Sequence, residues 1–347
     1  MTRSVLDLPK AHLHLNFTGS MRITTLRDLA ARHGLRLPPA LTTRWPPHLD
    51  AHDERGWFRF QRLYDAARAC VRDESDMRRI VREAAQDDAR EGSRWLEIQV
   101  DPTSYAPFVG GITPAVEIVL DEAQAVSAES GTQVAVVIAA SRMRHPLDAR
   151  TLARLAARHA GDGPGKVVGF GLSNDERRGR TSEFAHAFAI ARKAGLASVP
   201  HAGELLGADH VAVAAEHLSP DRLGHGVRAV EDPPLLDRLV ERGVTFEVCP
   251  ASTVSLGVYP DLRSVPLPTL MAAGARVALG ADDPLLFGSR LADQYQSARL
   301  DHGLDDAALA GLARASIEGS RAPESTRTAL VAEVDAWLAA DPGPPQT

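Results

Sequence analysis

Short apolar stretches alternate with longer amphipathic ones along most of this 347-residue chain. Eight apolar stretches are rich in Val, Ile and Leu without strict alternation, a pattern typical of parallel strands that are covered on both faces. We predict these strands at residues 11–17, 95–100, 133–139, 166–172, 197–201, 222–225, 245–249 and 276–280. The amphipathic stretches predict helices at residues 113–130, 148–159, 183–194 and 234–242, and three more at 290–300, 305–317 and 325–339.

Strand and helix alternate eight times, which predicts an α/β fold of the (β/α)8 TIM-barrel type. The competing fold is an open doubly wound sheet, but no glycine-rich phosphate loop follows the first strand. We therefore expect a single barrel domain over residues 1–341, with extra helices after the first strand and at the C-terminus. Residues 342–347 are expected to form a disordered tail.

The stretch between the first two predicted strands, residues 18–93, is longer than one crossover helix requires. Within it, residues 57–64 (Trp-Phe-Arg-Phe-Gln-Arg-Leu-Tyr) form a bulky helical face. One interpretation is an extra helical layer packed on the barrel. The other is a lid over the barrel mouth, in which Trp57 or Phe60 contacts a flat ligand.

The charge of the chain argues against two classes of binding partner. A net charge of −6 and an isoelectric point near 6.1 argue against nucleic acid and anionic membranes, since both require basic patches. The chain begins without an apolar signal core, and no run approaches the ~20 apolar residues of a spanning helix. Cys70 and Cys249 are far apart, so no disulfide framework is indicated. We expect a cytoplasmic protein with a small-molecule partner; the oligomeric state is left open.

Four polar clusters stand at the ends of predicted strands. They are residues 12–16 (His-Leu-His-Leu-Asn), 201–204 (His-Ala-Gly-Glu), 223–226 (Leu-Gly-His-Gly) and 280–284 (Gly-Ala-Asp-Asp-Pro). A single histidine at such a place is often structural, and Asp-Asp-Pro alone can be a helix cap. Because catalytic groups of a TIM barrel lie at the C-terminal strand ends, the four clusters together indicate one site.

The first cluster alternates by two residues. His12, His14 and Asn16 are therefore expected to point to one face of the strand, into the barrel, about 6.5 to 7 Å apart. A His-x-His pair at this spacing can bind one metal ion, either as His12 and His14 or as the layer of His14 and Asn16. An amide oxygen is a weaker zinc ligand than an imidazole nitrogen.

The other clusters supply acid, base and further ligands. Glu204 follows His201 by three residues, which brings a carboxyl group near a metal without making it a ligand; such a group can protonate a substrate. His225 is flanked by glycines, so its ring can reach a water molecule. Asp282 and Asp283 are adjacent and point in different directions, so one can bind metal while the other holds that water.

With these motifs the chain resembles the adenosine/AMP deaminase family of the metal-dependent amidohydrolase superfamily. The matching segments are Pro-Lys-x-x-Leu-His near the start, His-Ala-Gly-Glu, Arg-Leu-Gly-His-Gly, Glu-Val-Cys-Pro-x-Ser at residues 247–252, and Asp-Asp-Pro, in that order from residue 8 to residue 287. The resemblance implies a barrel that holds one zinc ion and catalyses hydrolytic deamination of an aminopurine.

The same resemblance implies roles for single residues. The expected zinc ligands are His14, His201 and Asp282, with Asn16 at the position of a further ligand. Glu204 is expected to protonate a ring nitrogen of the purine. His225 and Asp283 are expected to orient the attacking water.

The chain departs from the family pattern at three positions. Asn16 stands where the family has a second histidine on the first strand, and Thr18 stands where adenosine deaminases have an acidic residue that contacts ribose. In the fourth-strand segment, Asn174 replaces the glycine that approaches the purine edge, whereas Glu176 is kept. The first change bears on metal binding, and the other two bear on substrate choice, so Thr18 and Asn174 are candidate substrate-binding residues.

Three hypotheses follow. The first is a zinc-dependent hydrolase of purine metabolism that deaminates adenosine or a related 6-aminopurine nucleoside, with Asn16 lowering its metal occupancy. The second is a related barrel hydrolase that acts on a modified aminopurine nucleoside. The third is a purine-nucleoside binding protein without catalytic activity.

Overall fold

The computed structural model describes residues 2–50 and 53–341. Eight parallel strands form one sheet in sequential order. They are β1 (Lys10–Asn16), β2 (Ser93–Val100), β3 (Gln133–Ser141), β4 (Val167–Ser173), β5 (Ala197–Ala202), β6 (Arg222–His225), β7 (Thr245–Val248) and β8 (Arg276–Leu279). The expected tail at residues 342–347 lies outside the described residues.

The sheet closes on itself just beyond the end of β8. The amide of Asn16 donates to the Asp282 carbonyl at 2.9 Å, and the amide of Asp282 donates to the His14 carbonyl at 3.0 Å. This pairing joins the first strand to the segment after the last one, so the predicted TIM barrel is confirmed and the open doubly wound sheet is excluded.

Sixteen α-helices connect and flank the strands in the part of the chain that the structure describes. They are α1 (Ile23–Arg32), α2 (Pro39–Thr42), α3 (Glu54–Arg68), α4 (Glu74–Arg90), α5 (Ala106–Val109), α6 (Ile112–Ser127), α7 (Pro146–Arg158), α8 (Ala185–Lys193), α9 (Ala208–His217), α10 (Pro233–Glu241), α11 (Pro250–Ser255), α12 (Leu267–Ala272), α13 (Pro284–Phe287), α14 (Leu291–Leu300), α15 (Asp306–Gly319) and α16 (Glu324–Ala339). No helix within residues 2–50 and 53–341 is long and apolar enough to cross a membrane.

Local sequence explains where several of these helices begin. Aspartates at positions 53, 73 and 305 precede α3, α4 and α15, and each side chain accepts a hydrogen bond from a backbone amide in the first turn. This capping satisfies amides that have no partner within the helix. The helices then bury their apolar faces against the strands, which are almost wholly buried themselves.

A bulge in β1 redirects one of the predicted site residues. His12 is level with Leu96 of β2, but the next aligned pair is Leu15 and Ile98, so three residue steps on β1 lie opposite two on β2. His12 consequently points outward, where its Nδ1 lies 3.0 Å from each carboxylate oxygen of Asp88 in α4. The expectation that His12, His14 and Asn16 all face the interior is wrong for His12, because an extra residue reverses the alternation.

A polar network crosses the barrel interior. Arg222 of β6 is wholly buried and binds the carboxylates of Glu97 on β2, at 2.5 Å, and Glu247 on β7, at 2.6 Å. Glu247 also bonds to His14 at 2.9 Å. The network therefore connects the middle of the barrel to the polar clusters at its mouth.

Candidate active site

The four polar clusters meet at the C-terminal end of the barrel. The ring centroids of His14, His201 and His225 lie 4.7 to 5.1 Å apart. Each of these rings offers a nitrogen within 4.8 Å of the others, and Glu204 and Asp282 form a second such group with His225. All five side chains are buried. Residues separated by up to 268 positions thus share one site, as the barrel prediction required.

Backbone geometry at the strand ends aims these side chains. His225 and Asp282 adopt positive φ angles of 67° and 60°, in a left-handed region that non-glycine residues seldom occupy. Neighbouring glycines make room for the rings: a Cβ atom on Gly224 would lie 2.5 Å from Cδ2 of His201. The flanking glycine of the sequence motif therefore serves close packing of the two imidazoles.

His14 lies between two carboxylates. Its Nδ1 bonds to Glu247 at 2.9 Å, and its Nε2 faces Asp282 Oδ1 at 3.5 Å. Burial by itself would lower the pKa of His14, but the hydrogen bonds to Asp282 and Glu247 raise that pKa to about 10. The Glu247 bond fixes the ring so that Nε2 is presented to the centre of the site.

Asp282 is held from two sides. Its Oδ1 accepts a hydrogen bond from the amide nitrogen of Asn16 at 2.7 Å, and its Oδ2 accepts one from the Ser252 hydroxyl at 2.6 Å. Burial opposes ionisation, yet the bond from His14 lowers the pKa of Asp282 below its usual range. The carboxylate is therefore negatively charged at neutral pH.

Asn16 lies among the candidate ligands. Its Oδ1 accepts a hydrogen bond from Nε2 of Gln99 at 2.9 Å, and the same Gln99 nitrogen lies 3.1 Å from His201 Nε2. Burial and the neighbouring His14 charge lower the pKa of His201 far below its usual value, so the His201 ring is neutral and can accept this bond. Gln99 thus links two candidate ligand positions.

Glu204, His225 and Asp283 complete the buried site. Burial raises the pKa of Glu204 well above its usual value, and the charges of Asp282 and Glu176 add to that effect, so the site favours the protonated form of Glu204. Burial and the charge of His14 lower the pKa of His225 to about 4, which leaves its ring neutral. Glu204 Oε1 lies 3.7 Å from His225 Nε2. A neutral acid and a neutral base therefore face each other.

The donor set suits a divalent cation. Nε2 of His14, both ring nitrogens of His225 and Oδ1 of Asp283 have no hydrogen-bond partner among the described residues, although buried polar atoms normally have one. Imidazole nitrogens and a carboxylate oxygen are the ligands that zinc prefers. In this site, the groups close enough to share an ion are His14, His201 and His225, and Glu204, His225 and Asp282. The carboxylates of Asp282 and Glu247 raise the pKa of His14, which indicates a negative potential at this point. Such a potential also attracts a cation.

Two connected cavities open above these residues. The inner one, of about 80 Å³, is lined at its base by Asn16, His201, Glu204, Asp282 and Asp283. The outer one, of about 380 Å³, shares six lining residues with it, which are Trp57, Gln61, Arg68, Asp101, Ser141 and Asn174. The site is therefore reached through the wider outer cavity.

Helix α3 forms one wall of both cavities. Trp57 and Phe60 line the inner cavity, and their rings lie 5.0 Å apart. Phe60 also stacks on Phe287, with ring centroids 6.0 Å apart and an interplanar angle of 9°. The helix is thus packed on the barrel and also covers its mouth, so features of both interpretations of residues 57–64 are present.

The two candidate substrate-binding residues differ in position. Asn174 lines both cavities, and its φ of 81° is one that the family's glycine adopts without strain. Thr18 is buried, and its hydroxyl lies 2.5 Å from the hydroxyl of Tyr105. Since Thr18 does not line either cavity, the structure does not support its expected contact with a ligand.

Several site residues received no role from the sequence. Gln99 interrupts the apolar second strand near its C-terminal end, which is the one signal that could have identified it. Glu247 and Ser252 belong to a quoted motif, but their bonds to His14 and Asp282 depend on spatial neighbours that spacing does not reveal.

Comparison with known proteins agrees with this geometry. The family model described as "Adenosine deaminase" matches residues 9–337. A Streptomyces virginiae protein named "Putative adenosine/adenine deaminase" is 61% identical over 336 residues, which are 97% of this chain and 98% of that protein. The crystal structure of adenine deaminase from Arthrobacter aurescens has a TM-score of 0.87 at 29% identity and covers 96% of this chain and 100% of its own.

One further solved structure contains a bound metal ion. An amidohydrolase from Burkholderia ambifaria, solved with bound zinc, has a TM-score of 0.83 at 24% identity and covers 96% of this chain and 92% of its own. At this identity the likeness shows the shared fold. The family model and the 61% identical relative, which span nearly the whole chain, carry the assignment. The chain therefore belongs to the adenosine deaminase family and is a hydrolase that deaminates a purine.

Proposed function

We propose that this protein uses one zinc ion to hydrolyse the 6-amino group of adenosine or a related 6-aminopurine nucleoside, releasing ammonia and a 6-oxopurine. The observation that carries the proposal is the convergence of Glu204 and His225 on His14, whose ring lies 4.7 Å from that of His201 and whose Nε2 lies 3.5 Å from Asp282. Bound zinc would lower the pKa of a water molecule towards neutrality.

The residues of the chain divide the remaining work. Glu204 is protonated and donates a proton to a ring nitrogen, which makes the adjacent amino-bearing carbon more electrophilic. His225 is neutral, so it can accept a proton from the attacking water. Asp283, whose pKa burial and the Asp282 charge raise well above the usual value, faces the same space and holds that water by a hydrogen bond.

The outer cavity supports a nucleoside as substrate. A purine bound with that ring nitrogen at Glu204 has space for a substituent in the outer cavity, which adjoins the inner cavity through residues such as Asp101 and Asn174. Asp101 and Asp175 line the outer cavity, and carboxylates of this kind accept hydrogen bonds from sugar hydroxyls.

Free adenine is the second candidate substrate. The Arthrobacter aurescens neighbour is named an adenine deaminase, and Thr18 stands behind Tyr105 rather than at the cavity wall. Adenine and adenosine share the reacting carbon, so the same groups would act on either. The two substrates differ only in whether a ribose occupies the outer cavity.

The test measures ammonia release from adenosine, adenine and aminopurines with a substituted exocyclic amine, using protein reconstituted with zinc. We expect turnover with adenosine and a loss of at least about 100-fold in kcat for Glu204→Gln, the scale of general acid catalysis. Glu333→Gln, an exposed residue of α16, is the matched control and should be unaffected. Saturable binding without product under every metal supplement would instead indicate a binding protein.

A further inference from the structure

The loop between β5 and α9 carries Glu204, and one oxygen atom of Glu176 holds the backbone of this loop. Oε2 of Glu176 accepts hydrogen bonds from the backbone amides of Glu204 at 3.0 Å, Leu205 at 2.6 Å and Leu206 at 2.9 Å. The three donors are consecutive and begin at the candidate acid itself. Any shift of this loop would therefore have to break bonds to a single side chain.

Glu176 is well placed to act as a rigid anchor. It lies in the loop that follows β4, and only 1% of its surface is exposed. Hydrogen bonds to an ionised acceptor are about twice as strong as neutral ones. A buried carboxylate is costly unless such bonds compensate it, and Oε2 of Glu176 accepts three of them.

The anchoring loop is fixed on the cavity side as well. The guanidinium of Arg177 lies 5.8 Å from the ring centroid of Trp57 in α3, and Arg178 forms an ion pair with Glu54 at 3.1 Å. Glu176 thus stands between the helix that covers the cavity and the loop that carries Glu204.

We propose that Glu176 is a positioning residue for deamination, which acts by holding the backbone of residues 204–206 so that the Glu204 carboxyl meets the substrate. This inference rests on the proposed function, since it assigns Glu204 the part of proton donor. It predicts that the acceptor oxygen of residue 176 matters for the chemical step more than for substrate binding.

The experiment compares Glu176→Ala with Glu176→Gln in the zinc-loaded protein. Glutamine keeps an oxygen that can accept the three amide bonds, whereas alanine does not. We expect kcat to fall by about 100-fold in Glu176→Ala and by less than about 10-fold in Glu176→Gln, with KM changed by less than about 3-fold in both. Glu91→Ala is the matched control, because Glu91 also accepts a backbone amide bond, from Ala292, but far from the site. It should lower thermal stability and leave kcat unchanged.

Two further measurements separate positioning from general stabilisation. Hydrogen exchange at the amides of residues 204–206 should be faster in Glu176→Ala and close to the parent rate in Glu176→Gln. In a double-mutant cycle, Glu176→Ala should cost little further activity once Glu204 is already glutamine, because a residue that acts through Glu204 has nothing left to position.

The proposal is overturned if Glu176→Ala keeps the parent kcat, if both Glu176 variants lose activity equally, or if the two losses in the cycle are additive. These failures are distinct from failure of the proposed function. Full activity of Glu204→Gln would remove the proposed acid itself, whereas an inactive Glu204→Gln beside a fully active Glu176→Ala would reject only the positioning role.

Discussion

Asn16 occupies the position at which the family pattern has a histidine, and its contacts define what the substitution does. The amide nitrogen donates to Asp282 and the amide oxygen is engaged by Gln99, so both ends of the side chain are used within the protein. Residue 16 therefore orients the carboxylate of Asp282, a candidate ligand, instead of offering a strong ligand of its own.

Asn16→His is expected to tighten zinc binding by about 10-fold or more, because an imidazole nitrogen replaces a weak amide donor beside three ligands already in place. Competition with a chromogenic chelator measures the affinity directly. Asn16→Ala is the control, since it removes the bond to Asp282 without adding a ligand. Zinc affinity equal to that of the parent in Asn16→His would show that residue 16 does not reach the ion.

Protonation of Glu204 makes the free energy of unfolding depend on pH. The pKa of Glu204 in the folded protein lies well above the 4.5 of a free glutamate, so the folded state binds a proton that the unfolded chain has released. The free energy of unfolding that this proton supplies is complete below pH 4.5. It is lost progressively as the pH rises towards the folded pKa.

Glu204→Gln should therefore raise the melting temperature at pH 7 to 8 while it lowers kcat by at least about 100-fold, since glutamine never has to be neutralised. Each kcal/mol gained corresponds to a rise of roughly 2 to 4 °C in a protein of this size. The difference from the parent should disappear as the pH approaches 4.5. A variant that is less stable than the parent across this range would mean that Glu204 is ionised in the folded protein.

Among the secondary-structure elements, α3 most directly connects the fold to ligand binding. Its residues Trp57, Phe60, Gln61, Tyr64 and Arg68 recur at helical spacing and all line the inner cavity. This face is apolar near the helix start and charged at its end, where Arg68 pairs with Asp65. A flat purine ring would meet the aromatic part of the face.

Trp57→Ala is expected to raise the KM for adenosine roughly 2- to 10-fold, the range that one aromatic stacking contact provides, with a smaller effect on kcat. Steady-state kinetics on the zinc-loaded protein measure both constants. Arg59→Ala changes an exposed residue on the other side of the same helix and serves as the control. An unchanged KM in Trp57→Ala would exclude contact between this ring and the substrate.

Element positions followed from the sequence more closely than side-chain directions did. All eight strands lie within a few residues of their predicted limits, because buried parallel strands are marked by continuous apolar runs. The direction of His12 could not be predicted, since one bulge residue in β1 reverses the alternation and leaves no trace in the spacing. The roles of Gln99, Glu247 and Ser252 could not be predicted for a related reason, because they depend on neighbours in other parts of the chain.

At the scale of the whole molecule, the site is tied to the barrel interior by buried charges. His14 bonds to Glu247, Glu247 to Arg222, and Arg222 to Glu97 on the far side of the barrel. The amide of Arg321, which precedes α16, also donates to Glu97 at 2.6 Å. The orientation of one candidate ligand thus depends on strands β2, β6 and β7 together.

Burial favours the neutral form of Glu247, but Arg222 and the bond to His14 lower the pKa of that carboxyl below its usual value. The stability that this ion pair provides is therefore present above pH 4.5 and is lost as the pH falls through the lower, folded pKa. Replacing Arg222 by methionine would leave Glu97 without its positive partner and Glu247 with His14 alone.

Arg222→Met is expected to destabilise the protein by about 3 to 5 kcal/mol at pH 7, because a buried ion pair that loses one partner leaves uncompensated charge. Urea unfolding at pH 7 and pH 4 measures the loss, which should shrink at pH 4 as the carboxylates take up protons. Arg314→Met is the control: Arg314 pairs with an exposed Asp335, and surface pairs contribute about 0 to 1 kcal/mol. Equal losses in the two variants, or a loss independent of pH, would show that the interior carboxylates do not depend on Arg222. The expected pattern would instead show that the barrel core and the candidate ligand His14 are held in place by the same charges.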